Sequence, residues 1–288
     1  MYFKQKWRIA VWALSGIVGL LIVLLPSLLN LYRPQGPYLI PLSQKVNNTM
    51  AFGVVIALVF PAIVELNNFR WGGQVDKNIS RLLEDITEAV QSGVTLPRAI
   101  EEASKRDYGP ISKELEHTAS MLILGSSWED SLTSLAQRLR RPSALRLSNL
   151  LIEVHHTGGK AVEALAASVD LFSSLDEYRE EQHRSLRPYV ITIYMAAIIF
   201  LIIAYMVLHQ FLAPIYGITT STMKETGLLT NILDVNYYNS ILFWASIIES
   251  IFAGLIAGKM GDRALPAGLH HSVILCMITI IFFNVSSL

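Results

Sequence analysis

Four short groups of residues have side chains that could take part in catalysis or metal binding: His155-His156, His270-His271, Gly158-Gly159-Lys160 and Gly261-Asp262. Neighbouring residues on a helix point about 100° apart. Neither histidine pair therefore has the i, i+4 spacing with which a zinc protease holds its metal, and the chain has no His-Glu-x-x-His sequence. We expect these histidines to be structural or interfacial, and metal ligation is the alternative.

The other two groups resemble parts of known catalytic motifs. In Gly158-Gly159-Lys160 the upstream glycine of a phosphate-binding loop is absent, and Ala161 stands where that loop needs a hydroxyl. Gly261-Asp262 resembles half of the Gly-x-Gly-Asp site of an intramembrane aspartyl peptidase, but its first glycine is missing. The second aspartate of the apolar C-terminal part is Asp234, which the predicted topology puts on the opposite side of the membrane. The sequence therefore predicts no enzyme and no cofactor, so energy must come from a partner.

The charge distribution shows which elements would carry these residues. The chain has 288 residues, 52% of them apolar and 16% charged, with 23 Lys+Arg balancing 23 Asp+Glu and a single cysteine, Cys276. Such a composition excludes a disordered protein, a nucleic-acid binder that relies on bulk positive charge, and a disulfide scaffold. Residues 67–188 hold 33 of the 46 charges, with acids outnumbering bases, so a water-soluble block lies between apolar flanks.

The flanks contain five apolar segments, and a bilayer-spanning helix needs about 20 such residues. They run from about Ile9 to Leu31, Met50 to Leu66, Tyr189 to Leu212, Ser240 to Ala257 and Leu269 to Phe283. The first is too long for a signal peptide, so we expect a retained helix. Glu249 lies in the fourth segment, where a carboxyl group is costly. It is either a polar contact that fixes or follows the packing of the spans, or a neutral glutamate bonded to a neighbouring helix.

Lysine and arginine bias predicts the orientation of the chain, because basic loops stay cytoplasmic. Basic residues are concentrated at the N-terminus and in the last loop, and they are sparse in the loops 32–49 and 213–239. The N-terminus and residues 67–188 are therefore predicted to be cytoplasmic, and the C-terminus outside. The residues that carry this bias are Lys4, Lys6, Arg8, Lys259 and Arg263, against Arg33, Lys45 and Lys224.

Three turns repeat within the soluble block. Gly93, Gly125 and Gly158, which are 32 and 33 residues apart, each precede an apolar residue at +3, a small residue at +6 and an aliphatic residue at +7. Glycine enters the left-handed conformation of a helix C-cap without steric cost, so each glycine predicts a hairpin turn. Thr95 is the expected N-cap after the first turn. The predicted helices lie near 76–91, 95–106, 111–124, 127–140, 143–156 and 160–186, as a compact antiparallel bundle or simple hairpins.

Two charged clusters stand out on this block. Arg138, Arg140 and Arg141 end the fourth predicted helix, where cations complement the helix dipole. Asp176, Glu177, Glu180 and Glu181 form an acidic stretch on the last helix. Each cluster is either an ordinary solvated face or a contact with a protein partner or, for the arginines, with anionic lipid headgroups. The excess of acids argues against nucleic acid as the partner.

The hairpins, followed by a long helix that enters a span, resemble the type II secretion system F domain. The tail Glu249-Ser250-Ile251-Phe252-Ala253-Gly254-Leu255-Ile256-Ala257-Gly258-Lys259-Met260-Gly261-Asp262, with Ala267-Gly268-Leu269-His270-His271-Ser272, is similar to the end of archaeal archaellum and type IV pilus platform proteins. The longer archaeal members have two such helical domains. A single domain after two spans resembles the short, Tad-type form.

The resemblance implies an inner-membrane platform without catalytic activity, which couples a hexameric secretion ATPase to the assembly of pilin-like subunits. It also implies a homo- or hetero-oligomer with another platform subunit. The predicted fold is all-α: two spans in 1–66, a cytosolic bundle in 67–188 and three spans in 189–288. A membrane transporter and a membrane-tethered signalling scaffold are the alternatives. The first predicts inverted repeats among the spans, and the second predicts the same fold without a motor.

Overall fold

The computed structural model describes residues 3, 5–33, 40–212, 214, 235–262 and 264–286. Lys4, Lys224, Asp234 and Arg263, on which the topology and peptidase arguments draw, lie outside these residues. The fold is all-α as predicted, and none of the described residues forms a β-strand. In chain order the α-helices are α1 (Gln5–Leu28), α2 (Gln44–Gln91), α3 (Leu96–Ser104), α4 (Ser112–Ile123), α5 (Trp128–Leu139), α6 (Pro142–Thr157), α7 (Ala161–Met206), α8 (Val235–Gly261) and α9 (Leu269–Ser286).

Five helical segments are long and apolar enough to cross a membrane, which confirms the predicted number. They lie in Gln5–Leu28, Gln44–Gln91, Ala161–Leu212, Val235–Gly261 and Leu265–Val285. The second and third of these belong to helices of 48 and 46 residues, more than twice what a bilayer needs. A six-residue π-helix, Val207–Leu212, follows α7. The chain is thus a multi-pass membrane protein.

The described residues divide into two compact units. The first consists of Asn67–Arg184, with Phe3 of the N-terminal segment. The second consists of the described residues of Gln5–Leu66 and Ser185–Leu288.

The first unit is a bundle of short helices around one apolar core. Tyr108 is completely buried there, and its hydroxyl donates a short hydrogen bond to Asp85. Burial is the main reason that the pKa of Tyr108 is raised well above its usual value, and the hydrogen bond to Asp85 raises it further. The apolar residues Leu96, Ile100 and Ala103 on α3 face the core, as their spacing predicts.

The glycine turns at Gly93 and Gly125 follow the prediction, whereas Gly158 has a positive φ but a ψ of −104°, outside the left-handed C-cap conformation. Gly93, Gly125 and Gly158 have φ angles of 93°, 85° and 62°. After α2 the N–H of Val94 bonds to the carbonyl of Ala89 at 3.0 Å and that of Gly93 to Val90 at 3.0 Å. These are the two bonds of a Schellman motif, which requires a left-handed residue at the glycine position. Between Gly93 and Gly158 the helices are short, with 9 to 16 residues each.

The N-cap of α3 differs in one detail from the prediction. Thr95 occupies the cap position, but its side chain makes no capping hydrogen bond. Pro97 lies in the first turn and has no N–H that would need a partner. The start of α3 is therefore fixed by the proline and by the burial of Leu96, whereas the Ser127 hydroxyl at the start of α5 does accept the Asp130 N–H at 3.0 Å.

In the second unit α8 and α9 approach each other closely. A Cβ atom on Gly254 would lie 2.1 Å from the backbone nitrogen of Ser272, and one on Gly258 would lie 2.1 Å from Cα of Gly268. The backbones touch because these positions carry no side chain. The two glycines, four residues apart on α8, therefore serve packing within the chain.

Candidate functional site

The predicted basic cluster does not form one free patch. The Nε of Arg138 lies 2.7 Å from Glu114 Oε2, and its guanidinium also donates to Thr118 Oγ1 at 3.2 Å. Arg141 donates to both carboxylate oxygens of Asp76, through Nε at 3.2 Å and through a shorter bond from the second nitrogen. Two of the three arginines thus hold helices of the bundle together.

Arg140 is different from its two neighbours. It is exposed, and the described residues include no ion-pair or hydrogen-bond partner for its side chain. Its φ of 51° places it in the left-handed region, where its N–H caps α5 by bonding to the Ala136 carbonyl at 2.9 Å. Two other helix ends of the bundle have glycine at this kind of position, Gly93 and Gly125. An arginine there costs backbone energy that no internal contact of its side chain offsets.

The acidic stretch on α7 also divides into paired and unpaired residues. Asp176 accepts a short hydrogen bond from Ser80 and pairs with Arg179 at 2.9 Å. Glu180 pairs with Arg184, four residues later on the helix, at 3.5 Å, although both side chains are largely exposed.

Glu177 and Glu181 remain exposed, and no ion pair or hydrogen bond of theirs occurs among the described residues. Four residues apart on a helix, they lie on one face. Among the described residues, Arg140, Glu177 and Glu181 are therefore the ones of the seven predicted contact residues whose charges are available to a partner. We call these three residues the free charges.

An apolar hairpin tip escaped the sequence interpretation. Ile123 and Leu124, just before the Gly125 turn, are 69% and 84% exposed. The run Met121-Leu122-Ile123-Leu124 contains more consecutive apolar residues than one face of a helix can bury, and this pattern could have predicted the exposed apolar tip. A single exposed leucine is ordinary, but two large ones at the end of a soluble hairpin suit a protein contact.

The remaining candidates of the bundle have structural roles. His155 stacks on Trp128 with ring centroids 4.9 Å apart, whereas His156 points to Glu129 with Nε2 and Oε1 3.2 Å apart. The two rings diverge as adjacent residues were expected to do. Gly158–Lys160 forms one turn of 3₁₀-helix between α6 and α7, without the strand that precedes a phosphate-binding loop.

Glu249 lies part-way along α8 and is partly exposed. No hydrogen bond or ion pair of its carboxyl group occurs among the described residues, so the structure does not supply the polar contact within the chain that both interpretations of this residue invoke. Its neighbours Ile248 and Phe252 are exposed apolar residues. Its role therefore remains a prediction, which now requires a group outside the described residues.

A second intramembrane acid was not recognised from the sequence. Glu65 is only 6% exposed and receives three hydrogen bonds of 2.8 to 3.0 Å from the guanidinium of Arg8. The indole of Trp12 donates a further bond of 3.3 Å. This ion pair joins α1 to α2. It was missed because Arg8 was assigned to orientation and Glu65 was placed at the end of a span.

Asn47 is completely buried and fully bonded. Its amide donates to the Pro41 carbonyl at 3.0 Å and to Ser240 Oγ at 2.8 Å, and its oxygen accepts the Trp244 indole at 3.0 Å. Although it heads an Asn-Asn-Thr sequence, its amide nitrogen is not accessible for glycosylation. The polar residue instead ties α2 to α8.

The second histidine pair departs from the expectation. The rings of His270 and His271 have centroids 3.9 Å apart, so they converge although the residues are adjacent. Asp262 joins them: one ligand atom from each of the three residues lies within 4.8 Å of the others. The expected divergence was wrong here because these residues open α9, beside the end of α8.

Parts of the chain are similar to known proteins. Residues 82–209, from within α2 to the π-helix after α7, match the sequence model of the family described as Type II secretion system (T2SS), protein F. The chain is also 24% identical over 237 residues to an uncharacterized protein of Methanocaldococcus jannaschii. The alignment covers 82% of this chain but 38% of the relative's length. No solved structure matches the chain.

The family match covers the bundle that carries the free charges and the helix by which the chain enters its third span. It agrees with the resemblance drawn from the glycine turns. Residues 82–209 of the chain are thus similar to the type II secretion system protein F family.

Proposed function

We propose that the chain is the inner-membrane platform of a type IV pilus-like or archaellum machine. The soluble bundle meets a hexameric secretion ATPase in the cytosol, and the membrane helices support the assembly of pilin-like filament subunits. The single observation that carries the proposal is the family match of residues 82–209 in a chain with five membrane-length helices. The platform itself performs no chemistry, and the ATPase supplies the energy.

The contact with the ATPase is assigned to the free charges. Two other arginines of the cluster are engaged in ion pairs with Glu114 and Asp76, so their guanidinium groups hold the bundle together. Arg140 is retained at a strained cap, and among the described residues neither its side chain nor those of Glu177 and Glu181 have an ion-pair or hydrogen-bond partner. Charges with both signs fix the register of a partner as well as attract it. The apolar tip at Ile123 and Leu124 adds area that a partner protein can bury.

The proposal requires the bundle to be cytoplasmic, as the basic N-terminus and last loop predict. The C-terminus then lies outside the membrane. Another copy of the chain, or a second platform subunit, would complete the assembly, as the resemblance to the short platform proteins implies. Glu249 is the candidate for a polar contact with such a subunit inside the membrane.

Copurification with the secretion ATPase tests the function. The full-length chain is captured in detergent and the retained ATPase is quantified. We expect Arg140→Ala, and separately the double variant Glu177→Ala/Glu181→Ala, to retain several-fold less ATPase. The matched controls are Lys113→Ala and Glu116→Ala, exposed charges on α4 with no ion pair among the described residues. A folded wild-type chain that retains no ATPase, as a signalling scaffold would, contradicts the proposal.

A further inference from the structure

The hairpin formed by α8 and α9 brings a carboxylate and two imidazoles to one point. We propose that Asp262, His270 and His271 form a binding site for a divalent transition-metal ion, with Zn²⁺ the best-suited occupant. This His₂Asp site joins the end of α8 to the start of α9. The inference stands on these residues alone and does not depend on the proposed function.

The backbone holds the three residues in position. α8 ends at Gly261, and the N–H of Asp262 still bonds to the Gly258 carbonyl at 2.8 Å. One turn of 3₁₀-helix, Leu265–Gly268, leads directly into α9. The backbones of Gly258 and Gly268 are in contact, so the end of α8 lies directly against the segment that begins α9. Asp262 therefore faces the first turn of α9, where the two histidines lie.

The Nδ1 atoms of both histidines are bonded to other groups of the chain, as is common for the second nitrogen of metal-binding imidazoles. Nδ1 of His270 makes a short bond to the Ala267 carbonyl, and a carbonyl can only accept. The proton of His270 is therefore on Nδ1, and the lone pair of Nε2 is free to bind a metal. Nδ1 of His271 lies 2.7 Å from the Tyr194 hydroxyl. Such partners fix the ring orientation of zinc ligands, and for His270 the carbonyl also fixes the tautomer.

The donor set selects the class of ion. Two imidazoles and one carboxylate suit Zn²⁺ and other first-row transition ions, whereas Ca²⁺ and Mg²⁺ prefer oxygen ligands throughout. Ligands bound to one Zn²⁺ at about 2.1 Å are at most roughly 4.2 Å apart. The three ligand atoms already lie within 4.8 Å of one another, so small side-chain rotations complete the site. All three residues are partly buried, which leaves room for a further ligand such as water.

The test measures metal binding by the full-length chain in detergent, purified without a histidine tag and stripped with a chelator. Titration with Zn²⁺ in a calorimeter is expected to give one tight site per chain. Co²⁺ is the spectroscopic probe, and we expect the visible absorption of a four-coordinate site. His270→Gln and His271→Gln should each weaken Zn²⁺ binding at least 100-fold, and Asp262→Asn about 10-fold.

Two further variants separate the site from general effects. Tyr194→Phe keeps every ligand but removes the hydroxyl that orients the His271 ring, and we expect the Zn²⁺ affinity to fall about 10-fold. The control His155→Gln/His156→Gln removes the other histidine pair, whose rings point to different partners, and should leave the affinity unchanged. Absence of tight Zn²⁺ binding, or affinity unaffected by His270→Gln in a folded chain, overturns the proposal.

Discussion

Replacing Arg140 by glycine should stabilise the bundle. The residue has a φ of 51°, and the left-handed conformation costs a residue with a Cβ about 1–2 kcal/mol. Glycine removes this cost, but it also raises the conformational entropy of the unfolded chain, which lowers the free energy of unfolding by about 0.4–1 kcal/mol. The Arg140 side chain has no ion pair among the described residues that the substitution would break. We therefore expect a net gain of about 0.5–1 kcal/mol.

Three variants of Arg140 separate backbone strain from charge. Arg140→Gly removes both, Arg140→Ala removes the charge but keeps the strain, and Arg140→Lys keeps both. Thermal unfolding of the full-length chain in detergent should rank glycine above alanine and lysine by a few degrees. ATPase retention should rank lysine above alanine and glycine. The most stable variant is thus expected to bind the ATPase poorly. Equal stability of the glycine and alanine variants would refute the strain argument, and full ATPase retention by glycine would refute the contact.

Three further changes test the packing and the buried charges of the membrane unit. Glu65→Leu removes the carboxylate that the half-buried guanidinium of Arg8 binds and should cost about 1–3 kcal/mol, whereas the double change Arg8→Met/Glu65→Leu should recover most of the loss in unfolding assays. Gly258→Ala places a methyl group 2.1 Å from backbone and should cost at least about 2 kcal/mol. The control Gly73→Ala, with nothing within 4 Å, should gain up to about 1 kcal/mol, and equal effects would contradict the packing. Glu249→Gln should leave the unfolding temperature unchanged but lower filament assembly, and unaltered assembly would remove Glu249 from the proposed subunit contact.

The local pattern of the sequence predicts the bundle well. The period of the apolar residues and the glycine turns place the helix ends between residues 91 and 161 within a few residues. This works because a C-cap depends on one residue type whose φ requirement is visible in the sequence. The five membrane helices follow from length and composition in the same way. The ends predicted near 76 and 186 were wrong, because α2 and α7 continue without a break into the membrane segments.

Contacts between distant segments could not be predicted. The sequence does not show that Arg138 and Arg141 form ion pairs, because their partners Glu114 and Asp76 lie 24 and 65 residues earlier in the chain. Only the packing of the helices shows that Arg140 alone of the three is unpaired. The sequence contains the charges, but their pairing depends on which helix faces lie together.

The histidine pairs show the same limit in another form. Adjacent residues diverge on a straight helix, and His155 and His156 do so. His270 and His271 instead open α9, where a preceding 3₁₀ turn and the glycine contact to α8 direct both rings toward Asp262. The spacing rule fails there because it describes the interior of a helix and not its first turn.

Thiol labelling from the two sides of the membrane tests the central claim, that the bundle lies in the cytoplasm where an ATPase can reach it. Ser126→Cys puts a cysteine on the exposed α4–α5 turn, and Lys45→Cys puts one at the exposed start of α2 on the predicted outer side. The native Cys276 is fully buried and serves as the unlabelled reference. With a membrane-impermeant maleimide on intact cells, the account predicts that Lys45→Cys is labelled at once and Ser126→Cys only after permeabilisation. Labelling of Ser126→Cys in intact cells would contradict it.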